Sequence, residues 1–271
     1  MANSLRRYVA LYFALMSLNM RASWQFPGQM LMRVVLTIVI EILQLLLLWV
    51  VLNHFGSVGG WTFWEVVLLL TLKDLAVIAY QQLFWTGGLD TAVIRGELDK
   101  FLIRPLDPMI HFLADHEQSP ARIPQGLFAI ALLVIASIQI PIDWSLLKIV
   151  GLAIGFGGGI LIYTGVQLIG SSVAFWTKRE DTLTVLLPYM TDTFTQYPLH
   201  IYGGAIHTAL TFVIPFAFIN FIPVAFVIDK ENDLLFSPNM VFAAPIIGFA
   251  LMLFGRHVWN RGLRVYESAG T

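Results

Sequence analysis

The stretch "LMRVVLTIVIEILQLLLLWVVL", residues 31–52, decides the fold class of this chain. It contains two charged residues, Arg33 and Glu41, in an otherwise almost unbroken apolar run. A helix of about 20 apolar residues covers the ~30 Å hydrocarbon core of a bilayer. The stretch therefore predicts a helix that crosses a membrane.

The composition of the whole chain agrees with this prediction. Hydrophobic residues make up 58% of the 271 residues and charged residues only 12%, about half the usual soluble share of roughly 25%. The mean hydropathy is +0.76. One soluble domain cannot hide so much apolar surface, so membrane lipid is the predicted surrounding. The net charge of −1 gives no general attraction to nucleic acid, and the absence of cysteine excludes disulfides and thiolate chemistry.

Six apolar stretches are long enough to cross a bilayer. We predict an all-α integral membrane protein with about six transmembrane helices in one transmembrane domain, residues 1–271. The predicted spans are 31–52, 61–86, 122–140, 146–176, 205–228 and 240–260.

The basic residues predict the orientation of these spans. If the chain crosses six times, thirteen of the 16 lysines and arginines fall on one side and only Lys148 and Lys230 on the other. Basic residues favour the cytoplasmic side, so both termini are predicted to be cytoplasmic in a multi-pass protein of the cell membrane. The thirteen are Arg6, Arg7, Arg21, Arg33, Arg95, Lys100, Arg104, Arg122, Lys178, Arg179, Arg256, Arg261 and Arg264.

The N-terminal sequence "RRYVALYFALMSL" begins with basic residues and continues with apolar ones, as a signal peptide does. However, polar residues follow it and no small-x-small cleavage pattern is present. Its apolar residues recur at helical spacing. Residues 1–29 are therefore predicted to form a helix in the cytoplasmic interface of the membrane, with a cleaved signal as the weaker alternative.

No motif for an enzymatic reaction is visible. None of the five lysines is followed by Ser or Thr, so the chain has no Walker A phosphate-binding loop, and neither GxSxG nor HExxH occurs. "HFLADHE", residues 111–117, offers His111, Asp115, His116 and Glu117, of which His111 and Asp115 would share a helix face, but nothing marks a third or fourth ligand of one site. "GFGGG", 155–159, lies inside an apolar span. We predict no catalytic residue, no metal and no cofactor in this chain. The four-residue spacing of Gly151, Gly155 and Gly159 instead favours close packing between helices.

Three charged residues lie inside predicted spans: Glu41 in the first, and Lys73 and Asp74 in the second. A charge inside the membrane usually pairs with another charge or faces a cavity. Glu41 and Lys73 lie at similar distances from the loop between these spans. This predicts a Glu41–Lys73 ion pair, with a proton or substrate relay as the functional alternative.

The fifth predicted span is interrupted by Pro215, Asn220 and Pro223. Each proline removes a backbone hydrogen bond, which predicts a kinked or re-entrant segment. Such a break can line a transport pathway or can serve packing alone, and both interpretations stay open here.

The sequence "GELDKFLIRPLDP", residues 96–108, collects charge between two very apolar stretches. Its apolar residues fall at i, i+3, i+4 and i+8, the stripe of a short amphipathic helix that Pro105 and Pro108 end. Solvated charges on an interfacial helix would explain the pattern, and so would a helix that docks onto a cytosolic partner. The stripe consists of Leu98, Phe101, Leu102 and Leu106, and the charged residues are Glu97, Asp99, Lys100, Arg104 and Asp107.

These features together resemble the type-2 ABC export permeases, in the branch described as ABC-2 family transporter proteins. The resemblance covers nearly the whole chain and rests on "GGLDTAVIRGELDKFLIRPLDP" (87–108), "YPLHIYGG" (197–204), the six-span plan and the interfacial N-terminus. The G-x-LD-x-x-L-x-RP run carries most of it, through Gly96, Leu98, Asp99, Leu102, Arg104 and Pro105.

The resemblance implies a permease that pairs with a second copy or a paralogue and recruits separate nucleotide-binding ATPase subunits, which hold the ATP and magnesium. Residues 96–108 would then be a coupling helix in the cytoplasmic loop 87–121. The short external segment 229–239 argues against substrates that need a large extracellular domain. The implied coupling residues are Glu97, Leu98, Asp99, Phe101, Leu102, Arg104 and Pro105.

Two other classes compete with this interpretation. One is a self-sufficient secondary transporter that uses Glu41, Lys73 and Asp74, and the other is a membrane scaffold that transports nothing. Association with a separate ATPase favours the permease, whereas dependence on a proton gradient favours the secondary transporter.

Overall fold

The computed structural model describes residues 2–23, 27–115, 119–178 and 183–267. These residues form helices and contain no strand, which confirms the all-α prediction. The α-helices are α1 (Ala2–Ser23), α2 (Pro27–Phe55), α3 (Phe63–Leu83), α4 (Leu89–Ile94), α5 (Asp99–Leu102), α6 (Pro108–Ala114), α7 (Arg122–Gln139), α8 (Leu146–Ser172), α9 (Ala174–Thr177), α10 (Leu183–Thr195), α11 (Gly204–Phe212), α12 (Phe221–Val227) and α13 (Ala244–Val265).

Four helical stretches of the described chain are long and apolar enough to cross a membrane: Pro27–Phe55, Arg122–Gln139, Leu146–Thr177 and Pro238–Val265. They correspond to four of the six predicted spans. The second predicted span corresponds to α3, whose residues 66–73 are all buried among the other helices. The predicted interfacial segment corresponds to α1, which packs against α6.

The fifth predicted span, residues 205–228, is wrong as a continuous crossing. The chain instead passes between the two ends of the bundle through α10 and residues 196–200. At its start the Thr184 hydroxyl donates to Asp90 of α4 at 2.7 Å, and beyond its end the His200 ring lies 2.8 Å from the Gly59 carbonyl. Pro188 and the polar run "TDT" (191–193) conceal this helix in the sequence.

Residues 204–228 form two short helices, α11 and α12, broken around Pro215. Both ends of this segment lie at the loop between α2 and α3. His200 precedes the segment and contacts Gly59, while Lys230 follows it and donates to the Gly60 carbonyl at 2.5 Å. The segment therefore enters the bundle and returns to the same end, which confirms the re-entrant alternative.

Close packing around α8 holds the bundle together. Gly155 and Gly159 lie against the re-entrant segment, where an added Cβ would come within 2.8 Å of Pro223 or of the Ile219 carbonyl oxygen. Gly158 faces α13 instead, and a Cβ there would lie 2.5 Å from Ala244. The prediction that these glycines serve helix packing is confirmed.

Replacement of Gly158 by alanine should destabilise the protein, because the new methyl group meets backbone atoms of α13 that cannot move aside. Overpacking of this kind costs about 1–3 kcal/mol. Gly157→Ala is the matched control, since its Cβ would meet nothing within 4 Å. Thermal unfolding in detergent should show a lower midpoint for Gly158→Ala only. Equal midpoints would contradict the close contact.

Candidate coupling surface and intramembrane charge network

The loop 87–115, predicted to be cytoplasmic, folds into the three short helices α4, α5 and α6. Gly96 adopts φ +72°, the left-handed conformation that glycine favours, and turns the chain between α4 and α5. Asp107 caps α6, because its Oδ1 accepts hydrogen bonds from the backbone N–H groups of Met109 at 3.1 Å and Ile110 at 3.2 Å. Pro108, at the first helical position, lacks a backbone N–H that would otherwise need a partner. Local sequence thus explains the turn between α4 and α5 and the start of α6.

The apolar side of this loop faces inward. Phe101 is 3% exposed, and its ring lies edge-on to those of His111 (4.9 Å) and Phe112 (5.6 Å). Leu98 is fully buried in the same cluster. Leu98 and Phe101 were both among the predicted coupling residues, and for these two the prediction is wrong, because their side chains are not available to a partner. The helix is only one turn long, and α6 folds back over the face that a longer amphipathic helix would leave open.

The side chains that point away from the protein follow Phe101 directly. Ile103 is 83% exposed and Leu102 is 41% exposed. Arg104 and Pro105 are also exposed, so residues 102–105 form a protruding turn, which we name the coupling turn. Ile103 was absent from the predicted coupling residues. The adjacent apolar pair Leu102–Ile103 was the available signal, since two neighbours on so short a helix cannot both face the core.

The charged residues predicted for coupling have two different placements. Glu97 and Lys100 are exposed beside the coupling turn, and Lys100 Nζ lies 3.0 Å from Asp115. Asp99 is half-buried and accepts a hydrogen bond from the Tyr266 hydroxyl at 3.0 Å. Asp99 therefore serves the fold of the loop rather than its outer surface.

The loop is fastened to the membrane helices at several points. Arg256 of α13 lies 2.5 Å from Asp107, and Tyr266 beyond α13 holds Asp99. The Asn19 amide of α1 donates to the Ala114 carbonyl at 3.2 Å. A displacement of the coupling turn is thus transmitted to α13, since the loop is not an independent unit.

His111 lies under the coupling turn with its Nε2 2.9 Å from Arg104 Nη1. Burial, and then the neighbouring Arg104 guanidinium, lower the pKa of His111 below its ordinary value. The ring is therefore neutral at pH 7, and Nε2 accepts from the arginine. Burial and the hydrogen bond to Asp99 raise the pKa of Tyr266 to about 12, so this hydroxyl remains a donor at physiological pH.

Lys73, at the middle of α3, is 3% exposed and has two carboxylate partners. Its Nζ lies 2.6 Å from Asp192 and 2.9 Å from Asp74. Glu41 instead accepts a hydrogen bond from the Gln125 amide at 2.8 Å. The predicted Glu41–Lys73 pair is therefore wrong. Asp192 was missed because α10 was not recognised from the sequence as a helix of the bundle.

The prediction that the first two spans place their charges at similar depth is confirmed. Glu41 and Asp74 line one narrow crevice between α2, α3 and α7, together with Gln44 and Thr71. The crevice is polar on these sides and apolar toward α7, where Ala129 contributes to the lining.

Pro215, Asn220 and Pro223 are all buried. The Asn220 amide donates to the Leu69 carbonyl at 3.1 Å and to the Thr195 carbonyl at 2.7 Å. These bonds fasten the re-entrant segment to α3 and α10. In this conformation the three residues serve packing and do not face an opening.

Within residues 2–23, 27–115, 119–178 and 183–267, no group of three or more His, Asp or Glu side chains could hold a metal ion. Of the "HFLADHE" residues considered as ligands, His116 and Glu117 lie outside the described part of the chain. The Asp115 carboxylate pairs with Lys100, whereas His111 Nε2 pairs with Arg104.

Comparison with known proteins identifies the family. The sequence profile of the family described as ABC-2 family transporter protein matches residues 38–270, which include the coupling turn and every charged residue of the intramembrane network. The chain belongs to the ABC-2 transporter family. No curated protein and no solved structure matches it. An ABC-2 family membrane protein is a multi-pass permease of an ABC transporter and is generally not itself catalytic.

Phe101→Ala should lower the stability of the permease by about 3–5 kcal/mol, because it empties a site enclosed by the chain's own aromatic rings. Ile103→Ala is the matched control, since that side chain is 83% exposed. Thermal unfolding and limited proteolysis in detergent measure both variants. If Ile103→Ala is as destabilised as Phe101→Ala, the assignment of the two sides of the loop fails.

Lys73→Met should cost about 3 kcal/mol or more, because it leaves Asp74 and Asp192 without their counter-ion. The double variant Lys73→Met/Asp192→Asn should recover part of this loss. The double-mutant cycle of Lys73 and Asp192 gives the coupling free energy between these two residues. This value should exceed the coupling free energy between Lys73 and Glu41, measured in the same way with Lys73→Met and Glu41→Gln. Chemical denaturation of the wild type, the two single variants and the double variant measures the coupling free energy of each cycle. A larger value for the Lys73–Glu41 cycle would show that Lys73 pairs with Glu41 instead.

Proposed function

We propose that this chain is the permease subunit of an ATP-driven exporter in the cell membrane. Two permease copies, either two of this chain or one with a paralogue, would form the transport pathway. Separate cytosolic nucleotide-binding subunits with ATP and magnesium would supply the energy. Membership of the ABC-2 transporter family supports the permease role, and the lack of a Walker A loop in this chain supports a separate ATPase. The resemblance to export permeases supports the direction of transport.

The coupling turn is the observation that carries the partner assignment. An isoleucine that is 83% exposed projects from a loop bonded to α13 and α1, between the positive residues Lys100 and Arg104. This is the geometry of an apolar anchor that enters a groove with an acidic rim. Because the loop is rigidly attached, movement of the ATPase would move α13 with it.

The secondary transporter remains the second candidate, and the crevice lined by Glu41 and Asp74 is the observation that favours it. Its charges are already engaged, since Lys73 neutralises Asp74 and Gln125 holds Glu41. ATP-dependent transport that survives collapse of the proton gradient would support the exporter over this candidate.

Ile103→Ala should weaken recruitment of the ATPase subunit by about tenfold or more, because truncation of a central apolar anchor typically costs ~2 kcal/mol. ATP hydrolysis by the complex should fall in parallel. Co-purification of the ATPase with each permease variant at equal membrane expression measures recruitment.

Ile138→Ala is the matched control, since this isoleucine on α7 is 75% exposed but lies at the other end of the bundle. It should leave recruitment unchanged. Full recruitment and full ATP hydrolysis with Ile103→Ala would exclude the coupling turn as the docking site. ATP hydrolysis by the purified permease alone would contradict the separate ATPase.

A further inference from the structure

Asp192 exposes a carboxylate at mid-depth in the bundle. Its side chain is 59% exposed, although its Oδ1 lies 2.6 Å from Lys73 Nζ at the centre of α3. Charged side chains at this depth face the interior of a bundle, a partner charge or a water-filled cavity, because hydrocarbon does not solvate them. The lysine approaches from the buried side, so the outward side of the carboxylate requires a polar surrounding as well.

The neighbours of Asp192 on α10 extend this polar surface. Tyr189 is 69% exposed, Thr193 is exposed, and Tyr189 precedes Asp192 and Thr193 by three and four residues, so the three side chains share one side of the helix. Toward the start of α10 the same side continues with Val185 and Leu186, which are 57% and 46% exposed. The exposed face of α2 is different, since it consists of apolar residues such as Leu43, Leu46 and Leu47. The part of the α10 face around Asp192 is therefore suited to water, and the exposed face of α2 to lipid.

The charge at this face is negative. Lys73 supplies one positive charge against the carboxylates of Asp74 and Asp192, which leaves a net charge of −1 for the three side chains. The next charged group on the adjoining crevice is Glu41, which is acidic too. With low-dielectric walls around it, such a face attracts cations and repels anions.

We propose that the α10 face formed by Tyr189, Asp192 and Thr193 lines the translocation pathway, and that the Asp192 carboxylate selects substrates that carry a cationic group, such as an amine or a quaternary ammonium. Lys73 is the positioning residue that holds the carboxylate at this depth. The inference rests on the proposed permease function and adds a substrate class to it.

The chain contains no cysteine, so single cysteines report on this face without any background. Tyr189→Cys and Thr193→Cys are made in the full chain, co-expressed with its ATPase in membrane vesicles. A cationic and an anionic methanethiosulfonate of similar size are applied. The reaction rate of each reagent with the cysteine is divided by the rate of the same reagent with a small thiol in solution, which corrects for its intrinsic reactivity. Leu47→Cys, 62% exposed on α2, is the control for a position without water.

Both α10 cysteines should react, and the corrected rate for the cationic reagent should exceed that for the anionic one about tenfold, since a unit charge acts over ~8–10 Å at physiological salt. Asp192→Asn should reduce this ratio severalfold, Asp192→Glu should retain it, and Leu47→Cys should not react. A small uncharged thiol reagent verifies that the face is intact, because it should modify the α10 cysteines with and without Asp192→Asn or Asp192→Glu. The change in thiolate fraction that the carboxylate causes affects both charged reagents equally and cancels in their ratio.

An absence of reaction at both α10 positions would show that lipid or a second chain covers this face, and would overturn the inference. A ratio near one, a preference for the anion, or a ratio unchanged by Asp192→Asn would overturn the charge selection. Co-purification of the ATPase from the same vesicles tests the proposed function separately. Vesicles that retain the ATPase but show no reaction would refute this inference alone.

Discussion

The contact between α8 and α13 is the interaction on which the remaining structure depends. Lipid tails are as apolar as leucine side chains, so two membrane helices associate through close packing and not through the hydrophobic effect. Gly158 and Gly248 allow this approach, since a Cβ on Gly248 would lie 2.6 Å from Leu161 Cβ and 3.0 Å from the Gly158 carbonyl oxygen. The two helices behave as one unit along most of their length, because Gly165 and Gly255 repeat the contact further on.

The helices α8 and α13 also contribute side chains to the hydrophobic cluster beneath the coupling turn. Leu168 of α8, Phe175 of α9 and Trp259 of α13 are buried together with Phe101 and Phe112. The Phe175 and Trp259 rings lie 5.4 Å apart, and the Trp259 and Phe112 rings 5.6 Å apart. Such aromatic contacts resist sliding, since their attraction depends on ring orientation. A force on the exposed turn therefore reaches the helix pair through these rings as well as through the Arg256–Asp107 ion pair.

Sequence reasoning recovered the parts of the fold that depend on local pattern. Long apolar runs such as 31–52 and 122–140 appear as α2 and α7 with small changes at their ends, and the glycine spacing in α8 predicted its close packing. It failed where the answer depends on tertiary contacts. Phe101 has the periodicity of an exposed docking face, and only the return of α6 over it decides that it is buried. Likewise, depth matching related Glu41 to α3 but could not reveal Asp192, whose helix contains a proline.

The short α10 explains why the re-entrant segment exists. A helix of 13 residues covers about 20 Å, well short of the ~30 Å hydrocarbon core. Thr195 at its end is fully buried, so the carbonyl of this residue needs a partner inside the protein, and a buried carbonyl without one is costly. The Asn220 amide meets this need, since it donates to the Thr195 carbonyl at the end of α10 and to the Leu69 carbonyl of α3. The segment that carries Asn220 must therefore enter the bundle from the far end and stop at this depth. Lys73 lies one helical turn from Leu69 on α3, so the same arrangement holds Asp192 against its counter-ion.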